Sequence, residues 1–154
     1  MYSSNGINFR SQIMTIGELL YGLRDGRIAD SSVRQVADKL SADKLFVDTS
    51  ASYVESVIIG LPLLPLVFDG SVMPWKTIDG VKRLAALLAF ANNKYKLGES
   101  SYSRLPKFQY FDDMSPFLRN RFMRAQIPCY VINPGTPKEI IDDIKKRIRT
   151  SFII

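Results

Sequence analysis

A chain of 154 residues, 46% hydrophobic and 23% charged, is long enough to bury an ordinary core without disulfides or metal, and this composition excludes extensive disorder. The 21 lysines and arginines against 15 acidic residues give a net charge of +6, which favours a polyanionic partner such as a nucleotide or nucleic acid. With no histidine and one cysteine, the chain cannot hold a Ser-His-Asp triad, a Cys-His pair, a histidine-ligated zinc or an internal disulfide.

Residues 1–12 lack hydrophobic periodicity, so residues 1–14 are expected to form a loose arm ahead of a single domain over 15–154. Thr15 and Glu18 have capping-box spacing before Leu19, Leu20 and Leu23, predicting a short helix that ends at Asp25-Gly26. A second box, Ser32 with Gln35, leads into Val33, Val36, Ala37 and Leu40. Ser52 and Glu55 suggest a third helix start ahead of Val54, Val57, Ile58 and Leu61, with Gly60 as its stop. The prolines of Leu61-Pro62-Leu63-Leu64-Pro65 forbid further helix. Leu66-Val67-Phe68 reads as a buried strand, Asp69-Gly70 as a turn, and residues 75–78 as the returning strand of a hairpin.

Val81, Leu84, Ala85 and Leu88 then mark an apolar helix, with Asp79 placed to cap it. Residues 92–110 are polar and Ser-rich and fit either a small hairpin or an insertion loop. Ser115 with Pro116 starts a helix seamed by Leu118, Phe122 and Ala125, followed by a strand over 127–132 in which Cys129 is a small buried hydrophobe. After the turn Asn133-Pro134-Gly135, Thr136 as cap, Pro137 at the first helical position and Glu139 predict a last helix carrying Ile140, Ile141, Ile144 and Ile148. Helices interleaved with short strands indicate a compact α/β or α+β domain. No apolar run approaches the roughly 20 residues that cross a bilayer, and the N-terminal stretch is too polar for a signal peptide, so no membrane partner and a cytoplasmic location are expected.

The corner Asp79-Gly80-Val81-Lys82-Arg83 carries the clearest chemical signal. Cations in the first turn of a helix oppose its macrodipole by about 0.3–1 kcal/mol each, whereas an anion held among the free N–H groups reverses that sign. A phosphate site is one reading; the other is that both side chains extend into water, Asp79 is only a cap and Gly80 only supplies a positive-φ corner. Two further basic clusters, Arg119, Arg121 and Arg124, and Lys145, Lys146 and Arg147, are candidate nucleic-acid contacts or simply the solvated faces of helices.

The order of these elements resembles a known family. The run from Tyr53-Val54-Glu55-Ser56 through Gly60-Leu61-Pro62 to Pro65-Leu66 looks like the LIESILLGLPIPPI segment of GmrSD-type restriction proteins, and Asp79-Gly80-Val81-Lys82-Arg83-Leu84 falls in register where that family has DGQQRL. The strand at 127–132 and Ile144-Lys145-Lys146-Arg147-Ile148-Arg149-Thr150 fall where the family has a core strand and its IFxRINT motif. The resemblance implies an α+β, ParB/sulfiredoxin-like domain, a small mixed sheet flanked by helices. It also implies binding and hydrolysis of an NTP with Mg2+, linked to restriction or defence against foreign DNA. Family members continue into nuclease regions, so DNA and a nuclease domain or subunit are implied partners.

On that basis Asp79 and Arg83 are the expected catalytic pair, with Asp79 holding a metal-bound water or capping the turn. Gly80, Lys82 and Arg83 would contact phosphate, and Arg34 and Arg147 would form the opposite wall. Three departures stand out: Val81 and Lys82 replace two glutamines, Arg149 replaces an asparagine, and the early family pattern is reduced to Arg34 within Val33-Arg34-Gln35. Valine cannot orient water and lysine only donates, so phosphate contact is compatible with these changes and catalysis is not assured by them. The alternative reading is a catalytically inactive regulatory protein of the same fold that holds DNA or a partner, and the third is a structural domain whose Asp-Gly turn is only a corner.

Overall fold

A computed structural model describes residues 8–98, 105 and 107–151, the last three by their backbone alone. It is an α+β structure in which helices flank a four-stranded mixed sheet of spatial order β1-β4-β2-β3. The elements follow the chain as β1 (Phe9–Thr15), α1 (Ile16–Asp25), α2 (Ser31–Leu40), α3 (Lys44–Ile59), β2 (Leu66–Asp69) and β3 (Lys76–Asp79). Next come α4 (Val81–Ala91), a short 3-10 turn (Phe111–Asp113), α5 (Pro116–Arg124), β4 (Gln126–Ile132) and α6 (Lys138–Ser151). Strand β4 pairs antiparallel with β1 and parallel with β2, and β2 and β3 form the expected antiparallel hairpin.

Local signals that carry their own hydrogen bonds are realised. The Thr15 hydroxyl accepts from the Glu18 N–H at 3.0 Å while Glu18 reaches back to the Thr15 N–H, closing the box at the start of α1. Ser115 accepts from the Leu118 N–H at 3.3 Å, with Pro116 in the first turn of α5. Gly60 ends α3 in the left-handed region at φ 88°.

Four expectations are corrected. Residues 9–14 are not part of a loose arm: they pair along β4, a partner more than a hundred residues away in sequence. Helix α3 begins not near Ser52 but at Lys44, where the Asp43 carboxylate accepts from the N–H groups of Leu45 and Phe46; Ser52 lies in mid-helix. Ser32 does not cap α2, which starts at Ser31 behind Asp30, and the Asp30 carboxylate bonds Arg34 instead of the backbone. Thr136 does not cap α6; its hydroxyl donates to the carbonyls of Asn8 and Asn133, tying the end of β4 to the start of β1, and the helix begins on the Pro137 carbonyl.

The core is organised around α4. Every residue from Leu84 to Phe90 is buried, as an all-apolar helix requires, and α4 packs against both α2 and α3. Phe90 meets the rings of Tyr95, Phe111 and Phe122 at centroid distances of 5.5–5.9 Å, and the Tyr95 hydroxyl donates to the Ala86 carbonyl at 2.7 Å. In the Ser-rich stretch Leu97 exchanges backbone hydrogen bonds with Phe108 and Gln109; the residues between them at 99–104 and 106 lie outside the described set. Among the described residues no helix is long and apolar enough to cross a membrane.

Candidate functional site

The corner between β3 and α4 is built differently from its sequence reading. Gly80, not Asp79, is the N-cap of α4, at φ 114°, and no side chain caps the helix. A Cβ on Gly80 would stand 2.3 Å from Leu66 Cδ2, so the glycine is required by its close approach to β2 and by its backbone conformation. The side on which a side chain would stand is filled by Leu66.

Arg83 is spoken for. Its Nη2 donates to Asp79 Oδ2 at 3.0 Å, and its Nη1 donates to the carbonyls of Leu64 at 2.8 Å and Pro65 at 3.2 Å. The two side chains are only 22% and 25% exposed. The proline-broken segment ahead of β2 has no sheet or helix partner for these carbonyls, and the guanidinium fork supplies it. Asp79 and Arg83 therefore neutralise one another, which leaves neither as an uncommitted general base or phosphate clamp. A cation on Asp79 would have to share its carboxylate with a guanidinium. Among the described residues no cluster of three or more Asp, Glu, Cys or His side chains is placed to hold a metal.

Lys82 remains, exposed, with its ammonium 6.0 Å from the centroid of the Phe46 ring. It stands at the mouth of a cleft of about 380 Å³ between α3 and α4, whose walls include Phe46, Thr49, Ser50, Tyr53, Arg83 and Ala86. On α3 the positions 46, 49, 50 and 53 recur at i, i+3, i+4 and i+7, one helical stripe, while Ala51, Val54, Val57 and Ile58 turn to the core. The lining surface is mostly apolar; besides Lys82, its polar side chains are Asp43, whose carboxylate caps α3, Thr49, the engaged Arg83, Ser50 and Tyr53. The hydroxyls of Ser50 and Tyr53 are shielded from water and have no hydrogen-bond partner among the described residues. Ser50 is 2% exposed. Burial pushes the Tyr53 hydroxyl up to about 12, against a smaller downward pull from the Arg83 charge and a further upward push from Cys129.

The other predicted residues do not converge here. Arg34 pairs with Asp30 and Arg147 with Asp143, the latter at 2.8 Å, one turn away along their own helices; neither lines the cleft as its opposite wall. Arg121 donates from Nε to the Ile58 carbonyl at 2.6 Å and from Nη2 to the Ile59 carbonyl at 3.3 Å, closing the C-terminus of α3. That bond set makes Arg121 a structural residue of the α3–α5 junction. Arg124 is exposed beside it and Arg119 is half-buried at the edge of a shallow pocket it lines with Phe111 and Met123, while Lys145 is half-buried and Lys146 exposed on α6. Cys129 is buried and burial raises its thiol to about 11, with Glu18 adding to the rise and Arg83 opposing it, as befits a core side chain rather than a nucleophile.

Sequence reasoning passed over Phe46, Ser50 and Tyr53. The usable signal was a helical stripe mixing an aromatic pair with small hydroxyls, visible only if α3 is started at Asp43 rather than at Ser52. No protein-family model, curated protein or solved structure matches the chain.

Proposed function

We propose that this chain is a nucleotide-binding module that uses the α3–α4 cleft, with Lys82 as its phosphate contact. The observation that carries the reading is the juxtaposition in one mostly apolar cleft of an exposed lysine, an aromatic ring and two unpartnered hydroxyls. Small-ligand sites have this composition: apolar walls and a few placed polar groups. The resemblance to GmrSD-type proteins supports the same ligand class, and the ParB-like ancestry and the restriction or defence role that accompany it belong to the proposal. What favours binding over hydrolysis is the mutual engagement of Asp79 and Arg83, the pair that turnover of an Mg2+-bound NTP would need free.

Calorimetric titration with ATP, GTP, CTP and UTP, each with and without magnesium, tests the reading. At least one nucleotide binds at millimolar concentration or below, and Lys82→Ala weakens it about tenfold, the loss of one charge-assisted contact. Silence in calorimetry and an unmoved thermal midpoint with all four nucleotides would overturn it. The second reading, a DNA- or partner-binding regulatory protein, draws on the exposed Arg124 and Lys146; it requires DNA retention that falls steeply with salt and is indifferent to Lys82→Ala.

A further inference from the structure

Two hydroxyls on helix α3 find a local partner. Thr49 Oγ1 donates to the Leu45 carbonyl at 2.8 Å and Ser56 Oγ to the Ser52 carbonyl at 3.1 Å, the usual bond to the residue one turn back. Ser50, between them and far more deeply buried, makes no such bond, and neither does the Tyr53 hydroxyl three residues on. A buried hydroxyl left unpaired forfeits its hydration without return, so two of them on one stripe of one cleft are costly as mere packing.

We infer that Ser50 and Tyr53, with the Phe46 ring, form the recognition wall of the cleft and take the hydrogen-bonding edge of a planar heterocycle, so that a nucleotide enters base first and leaves its phosphates on Lys82. This rests on the nucleotide-binding reading above and assigns the residues that select the ligand within it. Each hydroxyl both donates and accepts, so the pair matches the adjacent donors and acceptors on the edge of a nucleobase, which a phosphate, an acceptor only, would satisfy less completely. Phe46 offers a ring face for stacking at the side where Lys82 already stands. The two oxygens are covered rather than open, so the ligand reaches them only when side chains lining the cleft give way. At about 380 Å³ the cleft lies near the small end of the roughly 300–1,000 Å³ range of ligand sites, which suits one nucleoside and not a strand.

The test compares wild type with Ser50→Ala and Tyr53→Phe, each of which removes one oxygen and keeps the fold, as a thermal midpoint equal to or above that of the wild type verifies. Three probes are titrated: the tightest of ATP, GTP, CTP and UTP, the matching nucleoside, and inorganic tripolyphosphate. The nucleotide is expected to bind at least tenfold more tightly than tripolyphosphate, the nucleoside to compete with it, and each variant to lose about tenfold in nucleotide affinity with tripolyphosphate unchanged. If both variants bind the nucleotide as wild type does, or tripolyphosphate binds as tightly as the nucleotide, the recognition wall is wrong while the phosphate site at Lys82 stands. If neither nucleotide nor tripolyphosphate binds, the underlying reading falls and this inference falls with it.

Discussion

Replacing Arg83 by alanine separates a structural clamp from a phosphate ligand. The side chain holds together three pieces of chain: the segment before β2 through the Leu64 and Pro65 carbonyls, the end of β3 through Asp79, and the first turn of α4 on which it sits. Hydrogen bonds to charged groups contribute about 1.5–3 kcal/mol each, and losing one partner leaves the others unpaired. Because both charges keep about a quarter of their exposure, water recovers part of that loss, and the expected net cost of Arg83→Ala is about 2–4 kcal/mol. With a urea dependence of about 2 kcal/mol per molar, the midpoint falls by about 1–2 M at unchanged slope. Arg83→Lys keeps the charge opposite Asp79 and loses the fork, for about 1–2 kcal/mol. A double-mutant cycle with Asp79→Ala should return a coupling of about 0.5–3 kcal/mol. If Arg83→Ala leaves the urea midpoint essentially unmoved yet abolishes nucleotide binding, the clamp is not what Arg83 is for, and the sequence reading of it as a phosphate contact is right after all.

Gly80→Ala tests the same corner from the other side: a φ of 114° and a Cβ 2.3 Å from Leu66 Cδ2 predict a loss of about 2–4 kcal/mol by thermal or urea unfolding, and a neutral substitution would show that the turn is more open than described. Burial raises Cys129 from 9.0 to about 11 and Tyr53 from 10.0 to about 12, so on unfolding both release their protons at lower pH than they do in the fold. The unfolded chain then binds fewer protons, and stability should fall with rising pH, first between about 9 and 11 through Cys129 and then above about 10 through Tyr53 and the deeply buried Tyr95, whose hydroxyl burial also pushes up. Urea midpoints across that alkaline window check it; Tyr53→Phe should lessen the upper slope and leave the part due to Tyr95, and an invariant midpoint in the wild type would contradict the burial of these groups.

Much of the architecture was legible because its signals are local. The Thr15-Glu18 box, the Ser115-Pro116 start, the hairpin around Asp69-Gly70 and the alternation of buried Ile127, Cys129 and Val131 each need only a few neighbouring residues to make their bonds or show their face. The errors share a different cause. Ser52 with Glu55 and Ser32 with Gln35 have the spacing of a box, yet spacing does not say which acceptor the chain will use, and Asp43 outcompetes the first by bonding two N–H groups at the true start of α3. Moving that start back by two turns is what brings Phe46 and Ser50 into line with Tyr53.

The amino-acid order alone determined most of the helices and strands, a domain of interleaved helices and short strands of α/β or α+β class, and the presence of two cations behind an Asp-Gly turn, since these follow from periodicity, capping chemistry and charge within about ten residues. Only the tertiary structure decided what those cations do. Arg83 turns inward because carbonyls 18 and 19 residues upstream are brought beside it with nothing else to bond, and Lys82, one residue earlier and 100° around the helix, is left at the mouth of a cleft. A strand at residues 9–15 exists for the same reason: its hydrogen-bond partners lie on β4, and pairing across such a separation is written in the fold rather than in any short window of the chain.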